Sequence, residues 1–182
     1  MARQVERNGD EVAALVLLDT WAPAGQTATS RFAPRAADLL ARFLADLAGV
    51  SGQKLSVDID LDQLDREAQL RFTLEQAMNL SILPPGIDCP QLAAMFDIFE
   101  ANARAFYDYA PAPGESGSPI ILFRASEGKD PLLDGPTLGW DRILEDPPEV
   151  HAVPGDHYTM LATVNAVNIA RQLKTCLDSL SN

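Results

Sequence analysis

Val12-Ala13-Ala14-Leu15-Val16-Leu17-Leu18-Asp19 is the stretch that decides the fold. An uninterrupted apolar run this short, closed by a carboxylate, is what a parallel strand buried on both faces requires, whereas a strand with one wet face alternates apolar and polar residues. Immediately upstream, Met1 to Arg7 reads as the last turns of a helix, and Asn8-Gly9 supplies the left-handed stop that ends many helices. A helix feeding a buried strand is half of an α/β unit. The first half of that unit is not in the sequence.

Downstream of Asp19 the periodicity changes. Ala36, Leu39, Leu40, Phe43, Leu44 and Leu47 follow helical i, i+3, i+4, i+7 spacing, as do Leu92, Met95, Phe96, Phe99, Ala103 and Phe106. Leu61 to Leu80 forms a third helical stretch, with Leu70, Leu74, Ala77 and Met78 on one side and Pro84-Pro85-Gly86 ending it. Sheet patterns return at Ile120-Ile121-Leu122-Phe123, after the turn-forming Gly114 to Pro119, and again at Val150 to Val153. A loop with Pro131, Gly135 and Pro136 leads to a weak helix around Trp140 to Leu144; Ala166, Ala170, Leu173, Leu177 and Leu180 mark a final amphipathic helix. The chain therefore reads as one α/β domain of about three parallel strands with flanking helices, divided into 1–23 (helix and strand), 24–113 (helical insertion) and 114–182 (two strands and a closing helix).

The bulk composition excludes several partners. The chain has 182 residues, 47% of them hydrophobic, and a formal net charge of -12; without clustered Lys and Arg, neither nucleic acid nor an anionic membrane surface is favoured. No apolar stretch approaches the roughly 20 residues of a membrane-spanning helix. Cys89 and Cys176 are far apart with no C-x-x-C spacing, so neither a disulfide framework nor a zinc site has support and no metal is expected. Reduced thiols point to the cytoplasm.

Asp19 and His157 are the candidate chemistry. Each directly follows a predicted strand, and the carboxyl ends of parallel strands are where sites assemble. An Asp that accepts a hydrogen bond from one imidazole nitrogen fixes the tautomer and stabilises the imidazolium, leaving the other nitrogen to act as a base. Spacing alone also fits a loop aspartate and a surface histidine in a Gly-Asp turn. His151 falls within the third strand, where a structural or surface role is the simpler reading, and Trp21 and Trp140 either border the site or anchor packing.

Several separate segments resemble one family in order: Met1 to Val12 with Leu15-Val16-Leu17-Leu18-Asp19-Thr20 and Ala22-Pro23, then Tyr109-Ala110-Pro111-Ala112-Pro113, Ile121-Leu122-Phe123-Arg124-Ala125, and Val153-Pro154-Gly155-Asp156-His157-Tyr158-Thr159-Met160-Leu161. Together they are similar to the C-terminal part of the type I thioesterase domains that end polyketide synthase and non-ribosomal peptide synthetase assembly lines. The resemblance implies the C-terminal portion of an α/β-hydrolase fold, with Asp19 as catalytic acid, His157 as base, and the 24–113 helices as a lid over an apolar acyl channel. Phe43, Phe72, Phe96, Phe99 and Phe106 are the lid aromatics from which substrate contacts would be drawn, although core packing explains most apolar residues at helical spacing, so only a minority of them would face the channel. It further implies an acyl or peptidyl thioester substrate, a carrier protein whose phosphopantetheine arm delivers it, and no cofactor of the enzyme's own.

The nucleophile is the large departure. No Gly-x-Ser-x-Gly occurs in the chain, and the serine of that elbow requires a strand before it and a helix after it. Gly114-Glu115-Ser116-Gly117-Ser118 lacks the last glycine and precedes a strand, and Ser30, Ser81, Ser126 and Cys89 sit in no elbow-like context. By the resemblance, the serine would stand shortly before Met1. Three readings follow: a thioesterase segment inactive by itself, a non-catalytic module that binds acyl chains or carrier protein, and a hydrolase in which His157 activates water. The apolar edge of the first strand would also invite either pairing with a second copy, giving a homodimer, or a rearrangement in which a helix covers it.

Overall fold

A computed structural model of the chain describes residues 2–23, 35–53, 61–110, 117–127 and 135–180. The expected turn at Gly114 to Ser116, Ser30 and the Pro131 loop lie outside them. Two compact units result, one formed by Met1–Pro23 with Pro111–Asn182 and the other by Ala24–Ala110.

The first unit is a parallel sheet with helices. Helix α1 (Ala2–Arg7) ends at Gly9, whose φ of 92° suits the left-handed stop that Asn8-Gly9 predicted. Strands β1 (Leu15–Leu18), β2 (Ile120–Ala125) and β3 (Glu149–Val153) pair in the order β1-β2-β3, with Leu15 opposite Ile120 and Phe123 opposite His151. Strand β2, paired on both sides, buries Ile120 to Phe123 completely or nearly so. Strand β1 is shorter than the apolar run predicted, and Leu18 is exposed, because among the described residues it pairs only with β2. Residues Ile121, Phe123 and Val153 form a core with Met160 and with Ile169 of the closing helix α5 (Thr163–Leu180). The weak helix expected at Trp140 to Leu144 is a 3-10 turn over Trp140–Arg142.

The second unit is helical. Helices α2 (Ala36–Val50), α3 (Arg66–Asn79) and α4 (Cys89–Asp108) enclose Leu39, Leu40, Phe43, Leu70, Leu92 and Phe96. The helix predicted to start at Leu61 instead opens with a 3-10 turn over Leu61–Gln63 and restarts behind Asp65, whose carboxylate accepts the Ala68 N–H at 2.8 Å. Helix α4 begins with a capping box: Asp88 accepts from the Gln91 N–H at 2.9 Å while the Gln91 side chain accepts the Asp88 N–H at 3.0 Å. An Arg66–Asp97 ion pair joins α3 to α4, and the guanidinium of Arg66 lies 5.5 Å over the Phe96 ring. No described helix is long and apolar enough to cross a membrane.

Candidate active site

Asp19 stands one residue beyond β1 and keeps to the ladder, its N–H donating to the Phe123 carbonyl at 2.7 Å. Its φ is 44°, a left-handed conformation that costs a residue with a side chain roughly 1–2 kcal/mol. The turn aims the carboxylate across the carboxyl ends of the strands. Oδ1 accepts the Ala125 N–H at the end of β2 at 2.9 Å, and Oδ2 accepts the Nδ1–H of His157 at 3.0 Å. Both oxygens are therefore bonded in a nearly buried group, 8% exposed.

Burial alone would push the pKa of such a carboxyl up. That effect is outweighed by the His157 and Ala125 hydrogen bonds and by the charges of His157 and Arg124, which hold Asp19 below the ordinary carboxylate range. It is consequently an anion at neutral pH. An anionic acceptor at Nδ1 places the proton there and makes Nε2 the nitrogen that can exchange a proton with a substrate or nucleophile.

The turn that carries His157 is built by its neighbours. Gly155 has φ 98°, and a Cβ there would lie 2.8 Å from Thr159 Oγ1, 2.9 Å from Asn165 Nδ2 and 3.2 Å from the Met160 backbone nitrogen. Only glycine fits both the angle and the space. Asp156 then gathers the turn: its Oδ1 accepts the N–H groups of Tyr158 and Thr159, at 3.1 and 2.9 Å, and the Thr159 hydroxyl at 2.7 Å. In return Thr159 Oγ1 accepts the Asp156 N–H at 2.9 Å. The spacing Asp156-His157-Tyr158-Thr159 is that of a reciprocal cap. Read as such, it would have singled out Asp156 and Thr159, which sequence reasoning passed over.

Aromatic rings flank the imidazole. Trp21 stacks on His157 with centroids 6.4 Å apart, and Tyr158 meets it edge-on at 5.4 Å. Trp140 donates its indole N–H to the Thr20 carbonyl at 2.8 Å, fixing the segment between Asp19 and Trp21. Of the two open readings for the tryptophans, Trp21 thus borders the site and Trp140 anchors its wall. The His157 side chain is 58% exposed, so the site faces outward.

The phenylalanines predicted for substrate contact lie in the helical unit. Phe43 and Phe96 are buried in its core, with centroids 5.6 Å apart, and Phe99 packs against both. Phe72 is partly buried on that core. Phe106, 36% exposed, rests edge-on against Tyr107. Ser81 and Cys89 belong to this helical unit, Ser81 with a φ of 53° just after α3 and Cys89 as the first residue of α4; Ser126 follows β2 on the surface.

No protein-family model matches the chain. Chondramide synthase cmdD from Chondromyces crocatus is 25% identical over 185 residues, spanning 100% of this chain but 5% of that synthase. A four-domain nonribosomal peptide synthetase, AB3403, solved in its holo form with AMP and glycine, is 30% identical with a TM-score of 0.79, over 96% of this chain and 13% of that one. The Vlm2 thioesterase domain, solved with a bound dodecadepsipeptide, shares 18% identity and a TM-score of 0.59 over 96% of this chain and 59% of that domain. The chain thus spans a small fraction of the synthetases it matches and somewhat more than half of a thioesterase domain. In fold, and along nearly its whole length, it is similar to part of the Vlm2 thioesterase domain.

Proposed function

We propose that Asp19 and His157 are the acid and base of a chain-releasing thioesterase, and that the remainder of its machinery lies outside these 182 residues. The observation that carries this reading is the 3.0 Å hydrogen bond from His157 Nδ1 to a buried carboxylate at the carboxyl end of a parallel strand. In the reaction, a serine hydroxyl attacks the carbonyl of an acyl or peptidyl thioester held on a carrier protein. His157 Nε2 takes the hydroxyl proton and passes it to the departing pantetheine thiol. Asp19 stabilises the imidazolium between those transfers. Water or a nucleophile within the acyl chain then releases the product as an acid or a ring, with His157 again moving the proton.

The serine would come from a segment carrying Gly-x-Ser-x-Gly, since these residues contain none. The helical unit is assigned the role of lid. Within it, Phe72, Phe99 and Phe106 keep some exposure and are the better candidates for acyl contact, while Phe43 and Phe96 hold the helices together. Joining the chain to a thioesterase segment that bears the serine elbow tests the assignment, with an acyl N-acetylcysteamine thioester as substrate. The chain alone should be inactive and the joined protein active, and His157→Ala should lower turnover by about 10^6-fold. A joined protein that keeps its rate after His157→Ala would overturn the assignment.

A further inference from the structure

A second cluster of reactive side chains lies between β3 and α5. Glu149 and His151 are two residues apart on a strand, so both side chains leave the same face. Cys176 reaches them from α5. His151 Nε2 is 2.8 Å from Glu149 Oε1 and 3.4 Å from Cys176 Sγ, and the three donor atoms all lie within 4.8 Å of one another. The imidazole is steadied by stacking on the fully buried Phe123, with centroids 5.3 Å apart. Beside the cluster is a cleft of about 260 Å³, to which Gln172, Thr175 and Ser179 also contribute.

We propose that Glu149, His151 and Cys176 form a binding site for a zinc-type divalent ion, with the cleft leaving a fourth position for water or a small ligand. The donor set of one thiolate, one imidazole and one carboxylate selects zinc over the hard cations calcium and magnesium. Zinc bonds of about 2.0–2.3 Å at a tetrahedral angle put neighbouring donors about 3.3–3.6 Å apart. The sulfur–nitrogen separation of 3.4 Å already meets that requirement. The nitrogen–oxygen separation must open by about half an ångström, and Glu149, with a side chain 63% exposed, has room to move.

A bound cation displaces the Cys176 thiol proton and takes Glu149 as a third ligand. The two cysteines gave no metal-binding spacing because two of the donors are not cysteine and the one cysteine among them comes from a different element.

Cobalt(II) titration of the full chain, freed of metal by chelator, tests the site. One equivalent should produce a thiolate-to-cobalt charge-transfer band, and zinc should displace the cobalt and protect Cys176 from alkylation. Cys176→Ser should abolish the band and weaken zinc binding by about tenfold or more, whereas Cys89→Ser should change neither. Glu149→Gln, at an exposed position that the fold does not depend on, should weaken binding while keeping the band. Absence of the band in the unmodified chain, its persistence in Cys176→Ser, or unchanged affinity in Glu149→Gln would overturn the proposal.

Discussion

Replacing Gly155 with alanine isolates the local device that positions His157. The methyl group must occupy a left-handed backbone at φ 98°, at a cost of roughly 1–2 kcal/mol. It also meets Thr159 Oγ1 at 2.8 Å and the Met160 backbone nitrogen at 3.2 Å. The hydroxyl cannot swing away without giving up its two hydrogen bonds with Asp156, each worth about 1 kcal/mol, and the backbone nitrogen moves only with the turn. The sum is about 3–4 kcal/mol. At about 2–4 °C per kcal/mol for a chain of this length, thermal unfolding followed by circular dichroism should fall by roughly 5–15 °C. Gly155→Ala combined with Thr159→Ala removes the nearest colliding atom, so the double variant should lose less than the two single losses added together. The chain has 2 histidines, so imidazole proton resonances can be assigned by substitution, and that of His157 should shift in Gly155→Ala while that of His151 stays in place. A melting temperature within about a degree of the unmodified chain, together with strict additivity, would refute the reasoning.

Asp19→Asn keeps a residue type that tolerates positive φ and retains a carbonyl oxygen for the Ala125 N–H, so the loss should come mainly from the charge. Because the folded carboxyl is held below its unfolded value, its contribution is present above the ordinary carboxylate range of about 3.9 and disappears as pH falls through the folded value. Urea unfolding should show the gap between the two proteins closing on acidification, and a gap that widens would reverse the sign. Phe96→Ala removes a ring 2% exposed that packs against Phe43 and Phe99, and should cost about 3–5 kcal/mol. Amide exchange should accelerate across α2, α3 and α4 and remain slow in β2; uniform acceleration would show that the two units do not unfold separately. Sedimentation should give a dimer, since β1 pairs on one side only among the described residues and leaves Leu18 exposed. A monomer at micromolar concentration would count against pairing through that edge.

The sheet and the site were unequally legible in the sequence. Short apolar runs closed by Asp19 and by Pro154-Gly155 marked two strand ends correctly, because burial on both faces leaves no room for polar residues. The same signal overstated β1, since an apolar run shows what a segment is able to bury but not whether a neighbour is there to bury it. The α3 boundary was misplaced because Asp65, a strong cap, lies inside an otherwise helical pattern, and the cap prevails over periodicity. Asp156 and Thr159 were missed for a related reason: their role consists of hydrogen bonds inside one turn, which hydrophobic patterning does not register. The Glu149–His151–Cys176 cluster joins a strand to a helix, and no linear spacing encodes such a contact.

The conformation of Asp19 adds weight to the acid assignment beyond its distance from His157. A loop aspartate at a strand end ordinarily has a solvated carboxylate and relaxed backbone; Asp19 has neither, with a φ of 44° and both oxygens occupied in a nearly buried position. Glycine would relieve the backbone strain, and an apolar side chain would avoid the desolvation of a charge. Neither would give His157 an anionic acceptor. The strain is tolerated because the Asp19 N–H still completes the ladder to Phe123 and the Ala125 N–H holds the carboxylate on the far side of the turn. A residue that departs from two local preferences at one point, with the surrounding structure holding it there, is the pattern expected where positioning a reactive group outweighs local stability.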